Sequence, residues 1–352
     1  MIYYECQENR ISMKGQSRSQ GDCLWFYYSM VIANCQEENL EVLEDKGRNE
    51  KDRPWAEHKM EAEVIAELYE SIGNVRKAER VRNCATFLEW KVLTVDENVK
   101  KLHNANFCRV RLCPTCAWRR SLKTYGQMAK VMANIPDNYA YLHLVLTVRN
   151  VYGDQLREEL DNLSKAWDRF SHYVAIKNVV KGYYRATEVS HNVKEKSPWY
   201  DTYHPHFHCL LAVNKSYFSG KTYLKKDKWI ALWKKAARLN YDPNVFVERI
   251  KAKNPEKALA EISKYTTKFS EIILPDKWKL SEETVAVLDK ALENKRFLAL
   301  GGIFKEVHKK LNLDDMEDGD LVHVETDNID DDGYKTVYYT WHSGYCQYIK
   351  EK

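Results

Sequence analysis

The sharpest chemical signal in the chain is His204-Pro205-His206-Phe207-His208-Cys209-Leu210-Leu211. On a β-strand, residues two apart share a face, so His206 and His208 point the same way while Phe207 and Cys209 point to the other. Two imidazoles side by side on a strand are half of a metal site. His204 would join them if the strand reached back that far, although Pro205 is tolerated only at the edge or start of a strand. Glu188, in the preceding strand-like run Gly182–Ser190, supplies a third ligand if the two runs pair through the 191–204 loop. Two histidines and a carboxylate leave coordination positions open on Mn²⁺ or Mg²⁺, and such an ion polarises a phosphodiester oxygen. The competing reading is a polar, solvent-facing stripe with Glu188 in a local ion pair.

A second group lies in Glu261-Ile262-Ser263-Lys264-Tyr265-Thr266-Thr267-Lys268. On a helix, Glu261, Tyr265 and Lys268 stack along one face. A tyrosine hydroxyl is a possible nucleophile toward phosphorus, a lysine beside it can hold phosphate, and a carboxylate one turn away can act as a base or activate water. An ordinary amphipathic surface shows the same spacing.

The third group is Cys108-x₄-Cys113-Pro114-Thr115-Cys116, which has the spacing of a closed, structural zinc site. Cys84 and His103 are the candidates for its fourth ligand. A redox Cys-x-x-Cys is the alternative, but the thioredoxin-like context is missing. Around these cysteines, residues 98–136 contain no acid and carry Arg109, Arg111 and Trp118-Arg119-Arg120, a set suited to backbone phosphates and stacked bases. Ser219-Gly220-Lys221-Thr222 imitates the end of a P-loop. Position 215 is Lys215 rather than glycine, so no nucleotide hydrolysis is expected.

The elements that must position these groups follow from hydrophobic periodicity. Ala56–Val81 reads as helix, interrupted near Gly73. Ala140–Val148, Gly182–Ser190, His206–Val213 and Asn244–Ile250 read as strands. Asp154–Val174 and Tyr223–Leu239 read as helices, and a further helix opens at Pro255 and runs to about Phe269. The order β-α-β-β-α-β-α begins with the split βαβ pattern. The expected class is therefore α+β: a mainly antiparallel sheet with helices on one face, a cysteine-rich zinc-binding segment, and extensions at both ends. Four segments are expected: a mainly helical 1–80, a cysteine-rich basic 81–136, a catalytic core 137–275, and a C-terminal 276–352 with a helix near Phe304–Leu311 and a hairpin turning at Asp332-Gly333.

Composition narrows the class further. Of 352 residues, 44% are hydrophobic and 30% charged, which excludes disorder. The net charge of +4 hides an asymmetry: residues 314–332 hold ten acids and no Lys or Arg, leaving 55 Lys and Arg against 41 acids elsewhere, or +14. Such a basic body suits a phosphate-bearing partner. The apolar run Trp25–Ala33 is too short to span a bilayer and reads as a buried helix or strand. Nine cysteines, three crowded into nine residues, argue for reduced thiols, a cytoplasmic location and no membrane.

The ordered set resembles the plasmid rolling-circle replication initiators of the HUH endonuclease superfamily, as in staphylococcal and bacillary plasmids. The residues that carry the resemblance are Cys84–Leu88, Ala105–Pro114, Cys116–Arg120, Leu144–Val148, His204–Phe218 and Lys264-Tyr265. The resemblance implies a nicking and joining enzyme of the single-tyrosine branch. Tyr265 matches the nucleophile and Glu261 the helper that activates water to end replication. His206 and His208 match the metal pair, with Glu188 as the acid on the strand before, and Cys84 is favoured over His103 as fourth zinc ligand. It further implies plasmid origin DNA, single-stranded or a hairpin at the nick site, as substrate, a 5′-phosphotyrosine with a free 3′-OH as product, and a host helicase and DNA polymerase as partners. A zinc-dependent DNA-binding regulator without catalysis, and a related relaxase or transposase nuclease, are the alternatives.

Overall fold

A computed structural model of the chain describes residues 40–44, 53–250, 259, 267–324 and 333–351. The expectations for Trp25–Ala33, Glu261 and Tyr265 lie outside the described residues, as does most of the helix expected over 255–269. The described chain forms two units, one of 1–60, 85–106 and 330–352 and the other of 61–84 and 107–329.

The helical pattern over 56–81 gives two helices, α1 (Trp55–Ser71) and α2 (Val75–Arg82). They break at Gly73, whose φ of +80° is the left-handed conformation that glycine adopts at least cost. In the first unit, β1 (Phe87–Leu93) and β2 (Asp96–Ala105) join β8 (Tyr334–His342) and β9 (Gln347–Lys350) in an antiparallel sheet of order β2-β1-β8-β9. Trp55, 1% exposed, packs edge-on to Trp90 at 5.8 Å and Tyr348 at 6.4 Å between ring centroids. The expected turn at Asp332-Gly333 lies partly outside the described residues; Gly333 leads into β8, and β8 and β9 form a hairpin that turns at 343–346.

The second unit adds α3 (Pro114–Ala133), β3 (Tyr139–Thr147), α4 (Leu156–His172), α5 (Val174–Val179), β4 (Val180–Asn192), β5 (Thr202–Asn214), α6 (Lys226–Ala237), β6 (Val245–Arg249), α7 (Trp278–Leu292), β7 (Leu298–Gly302) and α8 (Ile303–Lys310). Its antiparallel sheet has the order β6-β3-β5-β4-β7. The first four strands realise the split βαβ pattern, and β7 pairs with the outer edge of β4.

Period-two alternation decides which face each residue covers. Leu142, Leu144 and Leu146 of β3 and Phe207, Cys209, Leu211 and Val213 of β5 turn to the face of α4 and α6. There Trp229 and Trp233 are fully buried with Trp167 and Phe170. Helix α4 also carries Glu158 and Glu159 in its first turn and Arg169 and His172 in its last, matching its dipole at both ends. On the opposite face, Tyr184, Ala186, Leu210 and Ala212 are covered by Met128 and Val131 of α3 and Phe304 and Val307 of α8. Among the described residues, that cover occupies one half of the second face. Gly302, at φ +53°, lets β7 turn directly into α8, and a Cβ there would lie 2.1 Å from the carbonyl of Lys181.

Candidate metal centres

The other half of the second face carries the histidines. Register places Glu188 directly opposite His206 on β5, and His206 opposite Thr147 on β3. One row along, Ala186, His208, Val145 and Phe246 lie side by side across four strands. Strand β5 starts at Thr202, earlier than its hydrophobic pattern shows, so Pro205 lies inside a strand. It is accommodated because β3 ends opposite His206, and at Pro205 the ladder runs only to Val189 of β4.

Glu188, His206 and His208 converge, as the alternation predicts. His208 Nε2 is 3.1 Å from His206 Nε2 and 3.1 Å from Glu188 Oε2, with His206 Nε2 3.7 Å from the same oxygen. Cis donors about 2.1 Å from an octahedral ion stand about 3 Å apart, so this set fits one face of a divalent ion's coordination shell. The His206 ring donates from Nδ1 to the carbonyl of His204 at 2.9 Å, which leaves the Nε2 lone pair turned to the site. Burial depresses the His206 pKa to about 4, so the ring is neutral and ligand-competent at neutral pH. Burial alone would raise Glu188, but its bond to His208 and the nearby charge of Lys268 outweigh this and hold it at about 2. His204 stands outside the triad. Its ring stacks on His206 at 4.9 Å, and it acts through its backbone carbonyl.

Lys268 Nζ lies 3.1 Å from Glu188 Oε1 and 3.8 Å from Glu271 Oε1. The segment that brings it there is tied to β4. The backbone N–H of His191 donates to Glu271 Oε2 at 2.8 Å, and the buried His191 ring sits between the Glu271 carbonyl at 3.1 Å and Asp201 Oδ1 at 3.0 Å. Two residues of this site were not legible as such. His143, the one ring nitrogen in an apolar run, points to the histidine face, with Nε2 3.4 Å from His208 Nδ1. Only the register of β3 against β5 reveals that contact. Glu271 carries no sequence signal at all.

The four cysteines also converge. Cys84 Sγ is 3.5 Å and Cys108 Sγ 3.7 Å from Cys116 Sγ, and all four sulfurs lie within 4.8 Å of one another. Zinc–thiolate bonds of about 2.3 Å in a tetrahedron put sulfurs about 3.8 Å apart, so the donor set fits Zn²⁺. Backbone N–H groups reinforce it: Cys108 to Cys84 Sγ at 3.4 Å, Arg109 to Cys116 Sγ at 3.2 Å, and Val110 to Cys108 Sγ at 3.4 Å. Arg109, at φ +59°, makes the turn that aims these donors. Cys116 is held well below the ordinary thiol range by the Cys108 thiol and its other neighbours, whereas burial pushes Cys113 up. Cys84 is the fourth member. His103 lies on β2, its Nε2 3.9 Å from the Glu89 carboxylate.

The arginines of this stretch hold residues 314–322. Arg109 donates to the carbonyl of Asp318 at 2.7 Å, Arg111 to Glu317 Oε2 at 3.1 Å, and Arg120 to the carbonyl of Glu317 at 3.4 Å. Arg119, 4% exposed, donates to the carbonyls of Leu321 and Val322 at 3.0 and 2.8 Å, and stands 5.5 Å over the buried Trp118 ring. Of these four arginines, Arg109 is the exposed one. Among the described residues, no helix is long and apolar enough to cross a membrane.

Residues 99–349 match the family described as replication protein. A Bacillus amyloliquefaciens "Protein rep" is 38% identical over 343 residues, covering 89% of this chain and 98% of the relative. A Streptococcus pneumoniae "Protein rep" is 33% identical over 295 residues, 82% of this chain and 88% of its own. A Staphylococcus aureus "Replication protein" is 38% identical over 222 residues, 60% and 92%. No solved structure matches the chain. The matched region contains the histidine–glutamate triad, three of the four clustered cysteines and the whole five-stranded sheet, and the chain belongs to the replication protein family.

Proposed function

We propose that this replication protein initiates rolling-circle replication of a plasmid by nicking one strand at the double-strand origin through Tyr265. The observation that carries the reading is the convergence of Glu188, His206 and His208 with Lys268, which follows Tyr265 by three residues. A divalent ion, Mn²⁺ or Mg²⁺, when bound by Glu188, His206 and His208 would supply Lewis-acid polarisation of the scissile phosphate.

The residues of the chain do the rest. His206 and His208 offer ring nitrogens on a central strand, and Lys268 brings a positive charge to the edge of the triad. The Tyr265 hydroxyl attacks phosphorus in line: the tyrosine O–P bond forms, the bond to the 3′ oxygen breaks, and a 3′-OH is left to prime a polymerase. The phosphotyrosine retains the phosphodiester energy, so rejoining needs no ATP. At termination Glu261 takes a proton from water, which then hydrolyses the adduct. Strand separation falls to a host helicase. Cys84, Cys108, Cys113 and Cys116 hold a structural Zn²⁺ that fixes the start of α3. Of the basic stretch, exposed Arg109 is the residue we assign to phosphate contact.

The test is covalent trapping on labelled single-stranded DNA carrying candidate plasmid origins, followed by peptide mapping. Wild type should form an adduct at Tyr265, and Tyr265→Phe and His208→Ala should form none. Glu261→Ala should form the adduct but fail to release it by hydrolysis. Origin binding without any adduct would favour the non-catalytic zinc-dependent regulator. An adduct on another tyrosine would overturn the nucleophile.

A further inference from the structure

Phe246 is an aromatic side chain left 45% exposed on an edge strand, on the same face as the triad. Register makes it a member of the His208 row: Phe246 pairs with Val145, and Val145 with His208. Two strand spacings, about 10 Å, separate it from the metal ligand. Between them His143 forms a continuous ring contact. It stands edge-on to Phe246 at 5.7 Å and lies nearly parallel to His208 at 5.7 Å.

Phe246 is a large apolar ring on the half of the sheet face that carries the histidines. Its neighbours Val245 and Val247 turn instead to the core under α4 and α6. The groups described at its two ends differ in charge. Toward the His206 end of the sheet, Arg149 stacks on the Tyr241 ring at 3.9 Å, and Thr147 donates to the carbonyl of Asn244 at 2.8 Å. Toward the other end, exposed Glu248 projects from the same face and would repel phosphate.

We infer that Phe246 is the stacking platform for a base next to the scissile phosphate of single-stranded DNA, with the backbone leaving toward Arg149 and away from Glu248. The inference rests on the nicking reading above and names how its substrate is held. Aromatic stacking accepts any base and is the usual partner of a cationic track in single-strand binding. The platform therefore sets grip and position rather than sequence choice.

Binding is measured with full-length protein without added Mn²⁺ or Mg²⁺, by fluorescence anisotropy on a labelled oligothymidylate and on an abasic strand of equal length. Phe246→Ala should weaken binding to the oligothymidylate roughly 5- to 150-fold. Phe246→Trp should bind within a few-fold of wild type, and on the abasic strand wild type and Phe246→Ala should bind alike. Equal binding of wild type and Phe246→Ala to the oligothymidylate would overturn the platform, as would an equal loss on both strands. The nicking reading fails separately: wild type would show the Phe246-dependent binding yet form no adduct when metal is restored.

Discussion

Of the contacts that join the acidic segment to the rest of its unit, the Glu317 carboxylate takes three donors at once, and Glu317→Ala measures what it supports. Glu317 has 2% of its side chain exposed. Its Oε1 accepts the N–H groups of Phe297 at 2.8 Å and Leu298 at 2.7 Å, and its Oε2 accepts from Arg111 at 3.1 Å. Removing it leaves two buried donors unsatisfied, each costing about 1–3 kcal/mol. Arg111 keeps its bond to the Lys295 carbonyl at 3.2 Å and has 27% of its side chain exposed, so it adds little. The sum agrees with the cost of about 3–5 kcal/mol for breaking a buried ionic pair. Glu317→Gln keeps an acceptor for the two N–H groups and should cost about 1 kcal/mol, from the weakened Arg111 bond. Urea denaturation should show Glu317→Ala with a lower midpoint and an unchanged slope, and its melting temperature should drop by about 10 °C. A loss below about 1 kcal/mol for Glu317→Ala, or equal losses for both variants, would refute the clamp. Stronger single-strand binding at unchanged stability would show instead that the segment merely shields the arginines.

Two further outcomes follow from the same geometry. The freshly purified, reduced protein should contain one zinc per chain by elemental analysis, and Cys113→Ser should lose both the metal and stability. Zinc-free protein of normal stability would contradict the closed thiolate site. Asp315 is held at about 2: burial opposes this, but the N–H groups of Asp318 and Glu317 and the Arg296 guanidinium prevail. Its folded pKa lies below its unfolded one, so its contribution is present above about pH 4 and disappears as pH falls toward 2. The acid-unfolding curve of Asp315→Asn should be flatter than that of wild type over that window. Parallel curves would exclude the linkage.

What the sequence determined by itself was the local part of the design. Alternation in Ala140–Val148 and His206–Val213 assigned faces correctly, because a strand's side-chain period is a property of its own backbone. The Cys108–Cys113–Cys116 spacing brought three sulfurs together because these residues lie within one turn and the start of one helix. The order of elements implied the split βαβ sheet, because short connections leave few ways to arrange it.

Tertiary structure decided everything that depended on pairing between distant segments. Strand register brought Glu188 opposite His206, set His143 against His208, and put Phe246 in the His208 row. Strands β1 and β7 escaped notice because neither shows a clean hydrophobic period. β1 is completed by β8, more than 200 residues on, and β7 by β4. The arginines around the cysteine cluster show the limit most clearly. Their composition suggests phosphate contacts, yet Arg119 is buried against the carbonyls of residues 321 and 322, some 200 positions away. A guanidinium satisfies its donors with whichever acceptors folding brings within reach, and no local pattern in the sequence encodes which those are.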